Sequence, residues 1–178
     1  MLDKGSSSLV LGFCLGLLLL VTVQASSFTA EDTPLPDAAM KGDVGEVKLL
    51  LEKNVDVDQA QGDGMTALHW AAYHDNWELG KRLLDLGANA SAQNRYGITP
   101  LYLACVNGNA KLVRALLESG ADPNTTTSGG ETVLMTAART GDISAVTSLI
   151  NAGAGIDVEE RNGQTAAMWA AAEGHSDV

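Results

Sequence analysis

The sequence predicts an all-α solenoid, in which short helical repeats bury their apolar faces against one another. Gly-x-Thr triplets begin at positions 64, 97, 130 and 163, so the motif returns at one constant interval without a shift. A fixed period of roughly 20–50 residues is typical of solenoids. Hydrophobic residues make up 46% of the chain but aromatic residues only 4%. This composition favours thin helices that pack closely through Ala, Leu and Val.

The N-terminal segment has the layout of a secretory signal peptide. Residues 9–23 form an apolar run after Lys4, and small residues precede a possible cleavage point after Ala25. The run is short for a membrane span, which needs about 20 apolar residues. We predict a cleaved signal over residues 1–25 and a linker over 26–34. The alternatives are an uncleaved membrane anchor and a wrongly assigned start of the chain.

The rest of the chain divides into repeats in strict register. Their predicted bounds are 35–61, 62–94, 95–127, 128–160 and an incomplete fifth repeat over 161–178. The first repeat lacks the Gly-x-Thr turn, and we expect it to cap the stack. The fifth reaches Val178 at the start of its second helix, so we expect a fragment of a longer protein. The alternative is that the last helix frays.

Two residues replace glycine at repeat-equivalent turn positions. Asn54 stands where later repeats have glycine, and Asp75 does so in the turn between the two helices of the second repeat. Glycine at such a position has left-handed backbone, and Asn and Asp are the residues that tolerate it best. We therefore predict left-handed backbone at both residues, without a change of register.

These motifs resemble the ankyrin repeat. The family's Gly-x-Thr-Pro-Leu-His-x-Ala-Ala hallmark is best kept over 64–72, and its closing phrase over 120–124. The resemblance covers 35–178 and implies antiparallel helix pairs joined by β-hairpin-like fingers in a curved stack. It also implies protein binding through the fingertips and the exposed side of the inner helices. With a signal peptide, the chain looks most like a bacterial envelope protein, which predicts a periplasmic or extracellular location, or an anchored one if cleavage fails.

The charge balance and the scarcity of reactive residues argue against several functions. With 22 acidic and 11 basic residues, the surface disfavours nucleic acid. The acidity is explained by solubility, with a basic partner as the alternative. His69, His74 and His175 are not spaced as metal ligands, and no phosphate-binding glycine loop or haem motif is present. We predict no enzyme activity, no cofactor, no metal and no small-molecule substrate.

Two residues of reactive type are predicted to be structural. Cys105 falls where the other repeats carry alanine, so a small buried residue is the simplest interpretation, with a reactive thiol as the alternative. His69 occupies the histidine position of the family hallmark, which implies that its ring bonds to neighbouring loop backbone.

Candidate protein-binding residues are those that the motif leaves free to vary on the fingers and inner helices. They are Asp63, Met65, Tyr73, His74, Arg95, Tyr96, Ile98, Asn107, Glu131, Arg139, Arg161 and Gln164, with Val106, Ser128, Thr140 and Asn162 as further positions. Met65, Tyr73, Tyr96 and Ile98 are predicted to form an apolar patch on repeats two and three. The alternative is that these side chains pack between neighbouring fingers. Trp70 and Trp169 share an inner-helix position with Leu103 and are predicted to be core.

Two functional hypotheses follow. The first is an exported, non-enzymatic scaffold that binds a protein partner. The second is a targeting module of a larger exported enzyme or cytochrome. Ankyrin arrays share a fold without sharing a partner, so the sequence does not identify which protein is bound.

Overall fold

A computed structural model describes residues 33–178 of the chain. The helices in this range are α1 (Pro34–Lys41), α2 (Val44–Glu52), α3 (Ala67–Tyr73), α4 (Trp77–Asp85), α5 (Pro100–Val106), α6 (Ala110–Glu118), α7 (Val133–Thr140), α8 (Ile143–Asn151) and α9 (Ala166–Glu173). Short turns join the first four pairs, so the helices of each pair run antiparallel. Odd-numbered inner helices stack on one another, as do α4, α6 and α8 of the outer row. The predicted all-α solenoid is confirmed.

Loops of equal length, which we call the first to fourth fingers, connect each outer helix to the next inner helix. They span residues 53–66, 86–99, 119–132 and 152–165. Isolated antiparallel bridges close the first finger, between Ala60 and Thr66, and the third, between Thr126 and Thr132. These bridges are the hairpin-like feature that the resemblance implied.

Side-chain caps fix where the helices begin. The threonine of the Gly-x-Thr triplet caps α3, α5, α7 and α9; at α5, for example, Thr99 Oγ1 accepts from the backbone N–H of Tyr102. Asp or Asn caps α2, α4, α6 and α8 in the same way. Each such cap is worth about 1 kcal/mol. The period of the sequence is therefore a repeated set of helix start signals.

Two columns of leucine form the core of the stack. The inner column is Leu35, Leu68, Leu101 and Leu134, and the outer column is Leu50, Leu83, Leu116 and Leu149; all eight are at most 2% exposed. Each step along a column is one repeat. Burying one leucine contributes about 1.5–3 kcal/mol, so the stacking of neighbouring repeats holds the fold together.

The unusual turn residues have the predicted backbone. Asn54 has φ of 53° and Asp75 has φ of 54°, which confirms left-handed conformation at both. In α1 the first helical residue is Pro34, so the predicted linker extends one residue too far. The predicted signal peptide and the linker up to residue 32 lie outside the described residues. In the fifth repeat, α9 is followed by turns up to Val178.

The outer helices are unevenly spaced because the sizes of facing residues differ. The repeat register sets Val113 against Ala145 between α6 and α8, a large residue against a small one, and these helices pack closely. Between α2 and α4 the equivalent residues are Val47 and Leu79, both large. These two helices hardly touch, and Val47 and Leu79 line an open groove of about 370 Å³ between them.

Candidate protein-binding surface

Five repeat-equivalent residues form a line along the exposed side of the inner helices, which we call the inner row. They are Met40, Tyr73, Val106, Arg139 and Ala172, each one repeat after the last. Met40 and Val106 are 38% exposed and Tyr73 is 56% exposed. The row therefore presents three large apolar or aromatic side chains, followed by a cation and an alanine.

An aromatic cluster surrounds Tyr73. Its ring makes edge contacts with Trp70, at a centroid distance of 5.6 Å, and with His74, at 5.2 Å. The rings of Trp70 and His74 are stacked 6.0 Å apart. The indole N–H of Trp70 donates to Gln61 Oε1 at 2.9 Å. The cluster fixes the tyrosine ring while leaving more than half of its surface open to a partner.

Arg139 and Trp169 form the other end of the surface. The guanidinium carbon of Arg139 lies 5.8 Å from the centroid of the Trp169 ring, within the range of a cation–π contact. A shallow pocket of about 220 Å³ lies beside them, and Gln164, Met168 and Glu173 also line it. Met168 and Gln164 are exposed. Indole and guanidinium groups recur at the centres of protein interfaces.

The predicted apolar patch on repeats two and three does not form. Met65 is only 8% exposed, so its assignment to the binding surface is wrong, and Ile98 is half-buried. The second finger covers the first so closely that a Cβ on Gly64 would lie 2.9 Å from the Cα of Asn94. Tyr96 remains 63% exposed, so it does not pack between fingers as the alternative proposed.

Several other predicted residues hold neighbouring repeats together. Arg95 donates to the backbone oxygen of Gly62, and two repeats later Arg161 donates to that of Ser128. Asn107 Nδ2 donates to Tyr73 O at 3.0 Å. These side chains are exposed but form hydrogen bonds to a neighbouring repeat, so they are not free contact residues.

Three further candidates also form hydrogen bonds within the protein, namely His74, Asp63 and Glu131. His74 Nε2 lies 2.9 Å from the backbone oxygen of Met40. Asp63 Oδ1 accepts from the backbone N–H of Met65 at 3.0 Å, and Glu131 Oε1 accepts from Thr136 Oγ1, also at 3.0 Å. Of the twelve candidates, Tyr73, Tyr96, Arg139 and Gln164 remain exposed with no side-chain hydrogen bond inside the described range.

Two parts of the surface differ from the prediction made from the sequence. That prediction omits Met40, although its position one repeat before Tyr73 identifies it as a residue of the inner row. Trp70 and Trp169 pack against the core but are only half-buried, so the core prediction for them is right only in part. Each ring contacts a residue of the inner row: Trp70 contacts Tyr73, and Trp169 contacts Arg139.

His69 has the structural role that the resemblance implied. Its Nδ1 accepts from the backbone N–H of Thr66 at 3.1 Å, and its Nε2 lies 3.0 Å from the backbone oxygen of Ile98. A neutral ring with its proton on Nε2 satisfies both contacts. Burial lowers the pKa of His69, although the hydrogen bond to Ile98 and the charge of Asp63 oppose that shift. The ring ties the first finger to the second.

Reactive groups and metal ligands are sparse in the described part of the chain. Cys105 is fully buried, and burial raises the pKa of its thiol far above the usual range. Across residues 33–178, no group of three or more His, Cys, Asp or Glu side chains is placed to hold a metal ion. No helix in that range has the length and apolar character of a membrane span.

Comparison with known proteins agrees with this architecture. A family model described as ankyrin repeats (3 copies) matches residues 16–94, 35–127 and 119–178. The chain is 45% identical over 67 residues, 36% of its length, to mouse ankyrin repeat and SAM domain-containing protein 6, of which the match covers 8%. It is 41% identical over 56 residues, 32% of its length, to human ankyrin repeat domain-containing protein 39, of which the match covers 31%.

A plant protein is similar to the same extent. The chain is 41% identical over 66 residues, 37% of its length, to a protein of Oryza sativa subsp. japonica named probable E3 ubiquitin-protein ligase XBOS33, of which 13% is covered. The chain thus spans less than a third of the length of each of these relatives.

Proposed function

Because the chain belongs to the ankyrin-repeat family, we propose that it is a non-enzymatic scaffold that binds a protein partner through the inner row and the free fingertip residue Tyr96. Ankyrin repeats in general mediate protein–protein interactions. Which protein this chain binds is set by its own side chains, not by the fold.

The observation that carries this proposal is the apolar part of the inner row. Single exposed apolar residues are ordinary on protein surfaces. Here Met40, Tyr73 and Val106 recur at one repeat position and stay open, while the two leucine columns already supply the core. Apolar side chains that the fold leaves exposed in a line are characteristic of interaction surfaces.

The test is capture of partners by a variant of the row. Tyr73→Ala combined with Val106→Ala should weaken capture from an extract of the source cells by about tenfold or more, as loss of an interface tyrosine typically does. Leu86→Ala is the matched control, because Leu86 is 51% exposed but lies at the end of α4, outside the row. Equal capture by the double variant and the parent protein would contradict the proposal.

We further propose that the scaffold is exported, on the basis of the signal-like residues 1–25. The mature protein would then be periplasmic or extracellular. Sequencing of the mature N-terminus should begin at Ser26; a protein that retains residues 9–23 would instead be the membrane-anchored form. A bacterial origin also stays a prediction, and the relatives named above come from mouse, human and rice.

The second candidate function is a targeting module within a larger exported enzyme or cytochrome. This proposal is supported by the relatives, in which the matched ankyrin region is only 8–31% of a longer protein. Reading the gene beyond codon 178 separates the two proposals. A catalytic or electron-transfer domain there would favour the second, and a single capping helix followed by a stop codon would exclude it.

A further inference from the structure

Two hydrogen-bond donors at one end of the inner row lack acceptors. Within residues 33–178, the guanidinium of Arg139 forms no ion pair or hydrogen bond, and it stacks on Trp169. The indole N–H of Trp169 is covered and also has no acceptor in that range. Leaving such a group unpaired costs about 1–3 kcal/mol. Arg139 and Trp169 line one pocket together with Gln164 and Met168.

Trp70 shows that the missing acceptor is not a general property of this position. Trp70 and Trp169 occupy equivalent places three repeats apart, and each follows a possible acceptor by nine residues. At Trp70 that acceptor is Gln61, whose Oε1 takes the indole N–H at 2.9 Å. At Trp169 the equivalent is Glu160, whose carboxylate accepts instead from the backbone N–H groups of Asn162 and Gln164. The second indole is therefore left without its acceptor.

The protein's own carboxylates do not fill this place. Glu173 lines the pocket but is not within ion-pairing distance of Arg139, and Glu131 is held by Thr136 Oγ1. These two negative charges lower the affinity of the site for any anion. A ligand carboxylate must therefore gain enough from the guanidinium of Arg139, and from the indole N–H of Trp169 once the groups that cover it move aside; charge-assisted hydrogen bonds are the strong ones.

We propose that the Arg139–Trp169 end of the inner row binds the carboxylate of an Asp or Glu side chain in an extended partner segment, with apolar side chains of that segment on Val106, Tyr73 and Met40. This inference rests on the proposed function and specifies the partner. Stacked helices lie about 8–10 Å apart, and a segment in the extended polyproline II conformation advances about 3.1 Å per residue with three residues per turn, so every third side chain lies on one face. One repeat therefore corresponds to three residues, so the segment has apolar residues at three-residue intervals and its acid three residues beyond the last.

The experiment uses fluorescein-labelled decapeptides with blocked ends, so that no terminal carboxylate competes. One peptide has Leu at positions 1, 4 and 7 and Glu at position 10, a second has the reverse order, and each has a Glu→Gln twin. Anisotropy titration should show one Glu peptide binding about tenfold more tightly than its twin, as expected for a charge-assisted pair. The preference should shrink in Arg139→Gln and as salt rises.

Two tryptophan variants provide the matched control. Trp169→Phe removes the unpaired N–H and should reduce the preference for Glu over Gln. Trp70→Phe removes an N–H that Gln61 already accepts, so the preference should persist. Tyr73→Ala should weaken each Glu peptide and its Gln twin by the same factor, because it removes apolar contact only.

The outcomes separate this inference from the proposed function. Equal binding of the Glu and Gln peptides, with Tyr73→Ala still weakening both, would overturn the carboxylate site and leave the scaffold proposal standing. Absence of binding by all four peptides at millimolar concentration would overturn the extended-segment geometry, and partner capture would then decide the scaffold proposal alone.

Discussion

Leu112 occupies the space that a side chain on Gly80 would need. Its Cδ1 lies 2.7 Å from the position of a Cβ on Gly80, and Leu112 itself is fully buried. The residues equivalent to Gly80 in the other outer helices are all valines, Val47, Val113 and Val146. The glycine therefore lets α4 and α6 approach, although glycine within a helix is unfavourable by about 1 kcal/mol relative to alanine.

We expect Gly80→Ala to destabilise the protein by about 1 kcal/mol net, because overpacking by about 1–3 kcal/mol outweighs the gain in helix propensity. In a Leu112→Ala background the same change should stabilise by about 1 kcal/mol, since the obstructing methyl group is gone. Urea unfolding of the four proteins measures this coupling. Additive effects in the cycle would contradict the packing account.

The stability of the protein should depend on pH through His69. Because burial lowers the pKa of His69 in the folded state, the unfolded chain takes up a proton first as the pH falls below about 6.5. The free energy of unfolding should therefore decrease from pH 7 to pH 5, by at most about 1.4 kcal/mol per pH unit from this one group.

The matched variant is His69→Met, since Met135 holds the same cap position in α7 and accepts from the backbone N–H of Thr132. This variant should lose stability at pH 7 but show a flatter profile between pH 5 and 7 in urea unfolding. An unchanged slope in the variant would assign the pH dependence to other groups.

The two left-handed residues should respond differently to glycine. Asn54→Gly relieves an unfavourable backbone and should raise the free energy of unfolding by a few tenths to about 1 kcal/mol. Asp75→Gly relieves the same strain but loses the hydrogen bond that Asp75 Oδ1 accepts from Asn109 Nδ2, which is worth a similar amount. Thermal unfolding should therefore show a gain for the first variant only, and a larger gain for Asp75→Gly would contradict a stabilising role of that bond.

Cys105 should react only when the stack opens. Its side chain is fully buried and its thiol pKa is raised by burial, so a thiol reagent should label it at least about a hundredfold more slowly in buffer than in urea. Labelling is measured in a Cys14→Ser background, which leaves one thiol. Cys105→Ala should fold normally, because other repeats carry alanine at this position. Rapid labelling of the folded protein would support the reactive-thiol alternative.

Local signals predicted the fold because each one acts within a few residues. The threonine at the end of each Gly-x-Thr triplet caps the helix that begins at the next residue, by accepting from the backbone N–H three residues further on. Asn54 adopts the left-handed backbone that its turn requires. The binding surface depends on contacts across repeats, which no local pattern encodes. Met65 looked free because its position varies, yet the second finger covers it. Arg95 looked like a contact residue, yet its guanidinium reaches a carbonyl one repeat earlier. Comparing equivalent positions recovers part of this information, as Met40 and Tyr73 show.

The arginine links between fingertips have a mechanical consequence. Arg95 joins the tips of the first and second fingers, and Arg161 joins those of the third and fourth. Between the second and third tips the equivalent residue is Ser128, whose side chain is too short to span the gap, and Ser91 ties those fingers only near their base. We therefore expect the fingertips to move as two rigid pairs, with the largest relative displacement between the second and third fingers. This boundary separates the part of the surface that contains Tyr73 and Tyr96 from the part that contains Arg139. Movement at this boundary would change the spacing between Tyr96 and Arg139, and with it the shape of the proposed binding surface.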